Sequence, residues 1–376
     1  MRSASLLHFL ARHHAVDMIV FREPRAPDPT EHLPRDLLRR LHVVDLPPHS
    51  RDPLARAMRN AGRLARRVPP LVDRFAGFGD CISEAVQGQR YELAIIEHFW
   101  CAPYGEQAAA ASQTVVLDLH NIESALHSSY AARARGVQAA AHRAFSNACR
   151  ELEQKWLPRF DYLLAASEAD AARLHAISPD SRVLVYPNSI PWRPLPQRSE
   201  DHAIVFSGNL EYQPNVAAVR YFQREIWPGL RTQWPDLKWR LIGKNPARVA
   251  KIVSGDPRIE LTGPVPDAIP ELARGNVAIV PIHEGSGTRV KIIEAWAAGT
   301  PVVSTPLGAE GLPAGECMLL ANNAAEFRDA VSSLVANPVL RDRIGRAGRY
   351  LFEREFTWER AWKSLQVLDP ATMVKI

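Results

Sequence analysis

Short apolar runs alternate with helical stretches along the whole chain, the alternation halts once in a proline-rich segment, and then it begins again. That recurrence constrains the fold more than any other feature. In the first half, residues 2–13 carry Leu6, Leu7 and Leu10 at helical spacing, while Val16–Phe21 and Leu41–Leu46 read as strands. Residues 53–88 read as helical, broken at Pro69-Pro70. Leu93–Glu97 and Thr114–Leu119 read as buried strands, and Ala131–Leu157 as one long Ala-rich helix. Tyr162–Ala166, Glu168–His175 and Arg182–Tyr186 continue as strand, helix and strand. Uninterrupted apolar strands between helices predict a parallel sheet covered on both faces.

The interruption holds Pro187, Pro191, Pro194 and Pro196 among polar residues. Proline donates no backbone hydrogen bond and restricts the residue before it, so this stretch reads as a linker. Beyond it come strands at Ala203–Ser207, Lys238–Ile242, Ile259–Thr262, Val277–Ile282 and Pro301–Ser304, each followed by a helical stretch. A last helix starts near Thr357 as N-cap. A chain of 376 residues exceeds one ordinary core. The expected division is residues 1–190, residues 203–355 and a C-terminal helix at 356–376 packing back on the first domain. Two such α/β domains are expected to face each other across a cleft, with ligands at the carboxyl ends of the strands.

Composition narrows the function classes. With 46% hydrophobic and 23% charged residues, the chain is not a disordered one. No stretch reaches the ~20 apolar residues that span a bilayer, and no secretory leader is evident, so the expected location is cytoplasmic. Cys81, Cys101, Cys149 and Cys317 form no CxxC pair, and the histidines show no metal-ligand spacing, so no metal is expected. Seven arginines against two aspartates between Arg51 and Arg74 give that stretch an excess of five positive charges, as large as the +5 of the whole chain. A solvated helix face is the default reading; peripheral contact with anionic lipid at the inner membrane face is the second. Nucleic acid is not expected, because no reader motif accompanies the arginines.

Chemistry concentrates in Val280–Gly311. A strand gives way to Glu284-Gly285-Ser286-Gly287-Thr288, and a helix opens near Arg289–Lys291. Glycines let backbone approach a bound group, amides at a helix start attract anions, and the two cations add charge: together, a pyrophosphate cradle. Glu294 follows on the same helix, and a carboxylate can accept both hydrogen bonds of a ribose diol.

This segment resembles the donor-binding signature of glycosyltransferase family 4, in the GT-B superfamily. Ser207-Gly208-Asn209 with Tyr212-Gln213-Pro214-Asn215 resembles the first donor loop of a bacterial subgroup associated with polysaccharide and exopolysaccharide synthesis. Leu241-Ile242-Gly243 and Leu261-Thr262-Gly263-Pro264-Val265 resemble later strand ends of that domain. Asp118-Leu119-His120-Asn121-Ile122-Glu123, Ala166-Ser167-Glu168-Ala169-Asp170 and Tyr186-Pro187-Asn188 match in the first half.

The resemblance implies a GT-B fold of two Rossmann-like doubly wound domains. It also implies retaining transfer of a hexose from a nucleoside-diphosphate sugar to a glycan or lipid-linked acceptor, without metal or other cofactor. His120, Arg289, Lys291 and Glu294 would be catalytic, with His120 facing the donor sugar. Gly208, Asn209, Tyr212, Gly243, Val265, Glu284, Gly285, Ser286, Gly287 and Thr288 would bind the donor, and Asn121 and Glu123 would lie on the acceptor side. Two departures stand out. The family's paired glutamates lie eight residues apart, but that position before Glu294 holds Ser286, and Glu284 is ten away. The family's opening strand and Gly-rich loop are also missing, since Arg2–Leu6 resembles the helix that follows them. Two other functions share the fold: a nucleotide-sugar epimerase and a catalytically inactive nucleotide-sugar-binding protein.

Overall fold

The structure, a computed structural model, describes residues 2–24, 26–50, 52–198, 201–285 and 290–368. The chain divides into two compact units, Met1–Pro187 with Trp362–Ile376, and Asn188–Ala361.

The first unit holds β1 (Asp17–Arg22), β2 (Arg40–Asp45), β3 (Tyr91–Glu97), β4 (Ser112–Asp118), β5 (Tyr162–Ala165) and β6 (Val183–Val185). All pairings are parallel, but the strands form two sheets: β1 with β2, and β3-β4-β5-β6 in sequence order. No described strand joins β1 to β3. The two meet instead through side chains at their starts, where the Tyr91 hydroxyl donates to Asp17 Oδ2 at 2.9 Å and Arg40 Nη2 lies 3.1 Å from that hydroxyl. Burial follows this split. Leu117, Leu163 and Leu164 are wholly buried, whereas every residue of β1 is only half-buried. A backbone-rich edge without a neighbour leaves amides and carbonyls for water.

The long helix expected over Ala131–Leu157 is two helices, Glu123–Arg133 and Gly136–Trp156. The chain reverses at Gly136, whose φ of +57° suits glycine. At the far end, the turn Trp362–Leu368 belongs to this unit, and Trp362 Nε1 donates to the Ser5 carbonyl at 3.1 Å.

The second unit holds β7 (Asp201–Ser207), β8 (Lys238–Ile242), β9 (Ile259–Gly263), β10 (Gly275–Val280), β11 (Val302–Ser304) and β12 (Met318–Leu320) in one parallel sheet ordered β12-β11-β10-β7-β8-β9. Numbered from β7, that is the 3-2-1-4-5-6 order of a doubly wound sheet. Ala203–Ser207 and all of β10 are buried, as apolar strands covered on both faces must be. Trp239, Trp296, Phe206, Phe222, Phe327 and Phe352 fill the space between sheet and helices.

Candidate active site

In a doubly wound sheet the chain departs in opposite directions from two adjacent strands, and the loops beyond their carboxyl ends part to leave a crevice. Here those strands are β7 and β10. Beyond β7 lies Gly208, with φ +144°, and a Cβ there would sit 2.9 Å from Asn215 Nδ2 and 3.1 Å from Lys291 Nζ. Beyond β8 lies Gly243, with φ +143°, where a Cβ would run into the Gly208 carbonyl. Glycine is therefore required at Gly243 by space as well as by dihedral, and at Gly208 by dihedral. The strand ends are laced together: Gly208 N donates to Ile242 O at 2.9 Å, and Gly243 N to Gly263 O at 3.0 Å.

Beyond β10 the chain passes through half-buried Glu284 to buried Gly285, with φ +99°, and enters the helix Val290–Ala297. Ile292, Ile293, Ala295, Trp296 and Ala297 bury one face of this helix, which fixes Lys291 and Glu294 on the other. A Schellman turn ends it: Gly299, with φ +69°, follows, and Thr300 N donates to Ala295 O at 2.9 Å. Lys291 Nζ donates to Asn215 Oδ1 at 2.7 Å and lies 4.0 Å from the centre of the Phe206 ring. The ammonium is thus held at the β7–β10 switch point. Glu294 is raised to about 7, first by burial and then by Asp267, against the lowering pull of Lys291 and the Ser207 hydroxyl. Ser286, Gly287, Thr288 and Arg289 lie outside the described residues.

The remaining donor-side residues spread outward. Asn209 is exposed, and its side-chain oxygen accepts from Asn245 Nδ2 at 3.0 Å. Tyr212, 44% exposed, precedes the helix Gln213–Tyr221. Val265 is half-buried against the hydrophobic core. Asn215, in the stretch that resembles the first donor loop, is buried and bonded to Lys291, beside Gly208. Its position in the first turn after the β7 loop was the available signal.

A second polar cluster lies in the first unit, at the carboxyl ends of β3 and β4, where Glu97 and Asp118 are paired in register. Asp118 is fully buried. Burial pushes its carboxyl up, but Arg2 and His120 outweigh that and hold it low. Arg2 Nε reaches both Asp118 oxygens at 2.9 Å, and the guanidinium lies 4.4 Å from the Tyr186 ring centre. His120 Nε2 sits 3.4 Å from Asp118 and 3.8 Å from Glu97, distances too long for well-formed hydrogen bonds. His98 stacks on Trp100, with ring centres 4.1 Å apart, and meets the His120 ring at 3.8 Å. Burial, then repulsion from His120, drives His98 down to about 3, so its imidazole is neutral. His98 also has φ +70°, a left-handed conformation that costs a non-glycine residue about 1 kcal/mol or more. Strain of this kind concentrates at working sites.

Ligand atoms of Glu97, His98 and His120 fall within 4.8 Å of one another, close enough to share a cation. Two imidazoles on one ion splay apart, whereas these two overlap, and Arg2 already supplies positive charge beside them. Asn121 follows His120, half-buried. Glu123, expected on the acceptor side, is buried where helices Glu123–Arg133 and Gly136–Trp156 meet, and burial, then Glu153, raises it to about 7. Glu153 accepts from Ser124 N at 2.9 Å in the same seam.

Two Rossmann-like α/β units, one with the Lys291 ammonium at its switch point, match the GT-B architecture, and solved structures agree in fold. The chain is similar in fold to sucrose-phosphate synthase from Thermosynechococcus elongatus (TM-score 0.69, 19% identity, covering 96% of this chain and 89% of that one). It is similar to WaaG, a glycosyltransferase involved in lipopolysaccharide biosynthesis (0.64, 12%, covering 98% and 95%). It is also similar to HepE from Anabaena, solved with UDP and glucose (0.61, 13%, covering 100% and 96%). Residues 201–337 match the family model described as "Glycosyl transferases group 1". No curated protein matches the chain in sequence. Together these findings support a glycosyltransferase of GT-B fold.

Proposed function

We propose that this chain is a retaining glycosyltransferase that moves a hexose from a nucleoside-diphosphate sugar to a glycan or lipid-linked acceptor in polysaccharide biosynthesis. The observation that carries this reading is the Lys291 ammonium, held by Asn215 at the β7–β10 switch point beside Gly208 and one helical turn before Glu294. Lys291, with Arg289 two residues before it in the sequence, neutralises the diphosphate as it departs. Removing one contact of this kind costs about 100–1000-fold in rate. Glu294 holds the ribose, and the sequence Gly285-Ser286-Gly287-Thr288 carries amides and hydroxyls suited to phosphates and sugar. His120 is read as the first unit's catalytic residue, oriented by buried Asp118, with no metal required. The structures of HepE, with UDP and glucose, and of WaaG add weight to a nucleotide-sugar donor and a surface-glycan acceptor.

The test is release of free nucleoside diphosphate from a panel of nucleotide-sugars in the presence of lipid-linked acceptors. Wild type should release UDP or GDP in step with glycosylated product, and Lys291→Ala should lose at least ~100-fold with its circular dichroism unchanged. Full turnover in Lys291→Ala would refute the assignment. Interconversion of sugar epimers without nucleotide release would point to the epimerase reading.

A further inference from the structure

His98 occupies a backbone position that suits glycine, not an imidazole. Its φ is +70° and its ψ 137°, a region that side chains rarely enter. The consequence is a change of face. Glu97 and Asp118 are paired in register, so they share one face of the β3-β4 pair, and His120 Nε2 lies 3.4 Å from the Asp118 carboxylate. Continued alternation along β3 would carry residue 98 to the opposite face. The positive φ interrupts that alternation and brings the His98 ring against His120, with ring centres 3.8 Å apart. The His98 amide still donates to the Asp118 carbonyl at 2.9 Å, so the turn stays tied to β4.

The same ring stacks on Trp100, with ring centres 4.1 Å apart and planes 11° apart, and Trp100 stacks in turn on Phe75 at 6.0 Å. Trp100 belongs to the helical turn Phe99–Tyr104, which Phe99 and Ala102 anchor in the core. A row of flat rings thus runs from Phe75 through Trp100 and His98 to His120. The row uses the ring of His98 and not its Nδ1, which is buried with no hydrogen-bond partner among the described residues. Its imidazole is neutral, so it meets His120 without repelling it.

We propose that His98 is a positioning residue: its ring, backed by Trp100, fixes the plane of the His120 imidazole, while Asp118 and Glu97 flank the Nε2 of that imidazole. The backbone strain at His98 has this placement as its result. The proposal rests on the reading of His120 as the first unit's catalytic residue.

Three substitutions separate ring, nitrogen and backbone. His98→Phe keeps a flat neutral ring, His98→Ala removes it, and His98→Gly removes it and relieves the backbone. Crystal structures of the whole chain should show His120 in its wild-type rotamer in His98→Phe, and turned or split between rotamers in His98→Ala. In turnover of a nucleotide-sugar, His98→Ala and His98→Gly should lower kcat about 10–100-fold with the donor KM within about twofold, and His98→Phe should restore kcat to within about threefold of wild type. His98→Gly should unfold at a higher denaturant concentration than His98→Ala, because only glycine is at ease at that φ. His120→Ala is the control for the underlying reading. If it turns over like wild type, that reading fails, and the His120 rotamers alone decide whether His98 places the ring. A His120 ring that does not move in His98→Ala would overturn the proposal. So would a loss in His98→Phe as large as in His98→Ala, which would assign the role to a ring nitrogen, or an unchanged kcat in His98→Ala when His120→Ala is inactive.

Discussion

The two units are built from the same alternation and finish differently. The second closes six parallel strands into one sheet in which β7 and β10 lie side by side at the centre. The first leaves β1 and β2 as a pair, apart from β3-β4-β5-β6. In order along the chain, this resembles the second unit's sheet with its central strand left out. The consequence is physical. Central strands of a parallel sheet are shielded on both faces and both edges, and residues of β10 are all buried. Every residue of β1 is half-buried, and β3 has none that is fully buried. A complete sheet makes a rigid ledge on which a crevice can be preorganised. The split sheet ties its halves together through side chains such as Tyr91, Asp17 and Arg40.

Hydrogen exchange gives the widest separation between the units. Alternate amides of a parallel strand point to opposite edges, so part of β1 and β3 faces an edge with no partner strand among the described residues. Those amides should exchange at least ~100-fold faster than amides of β7 and β10. Equal protection would show that the first unit's sheet is continuous in solution.

Gly243→Val attacks the complete sheet where its strand ends meet. The new side chain would strike the Gly208 carbonyl in a backbone conformation that valine resists. The expected loss is on the order of 3 kcal/mol, read by denaturant unfolding, together with loss of nucleotide binding. A stable variant that binds nucleotide would undo the argument about close approach.

Glu123→Gln tests the first unit's buried seam. Glu123 is raised to about 7 from 4.5, so its contribution favours folding most below pH 4.5 and is lost as pH rises towards 7. At pH 8 the native state therefore holds an ionised carboxylate near Glu153 at a cost. Replacing it should stabilise the protein by about 2 kcal/mol there, with no gain at pH 4. A gain that did not vary with pH would remove ionisation as the cause.

The smallest effect is expected at Glu294, also raised to about 7. Donor affinity should weaken a few-fold as pH falls through 7 and the carboxylate proposed to accept from the ribose takes up a proton. Glu294→Gln should flatten that profile, as calorimetry at several pH values would show.

Much of the fold was legible because buried parallel strands are continuous apolar runs: β8 and the helix Ala268–Ala273 lie where the pattern put them. β12 was missed, since three residues carry no period. The break at Gly136 was hidden in an Ala-rich, uniformly helix-favouring stretch. The sequence singled out Gly208 after a strand and Lys291 near a helix start, and the structure brings the two together. Asn215 was not fully legible, because its role depends on reaching Lys291 across 76 residues. The pairing of His98 with His120 rests on β3–β4 register and on a left-handed backbone, neither of which composition reveals.

The central claim is that a diphosphate binds at the β7–β10 switch point, and calorimetric titration of UDP and GDP into wild type and Lys291→Ala tests it most directly. The account predicts that one of these nucleotides binds wild type and that the substitution weakens it at least ~10-fold, about 1.4 kcal/mol, without altering the thermal midpoint. Unchanged affinity in Lys291→Ala, or no binding of either nucleotide to wild type, would contradict it.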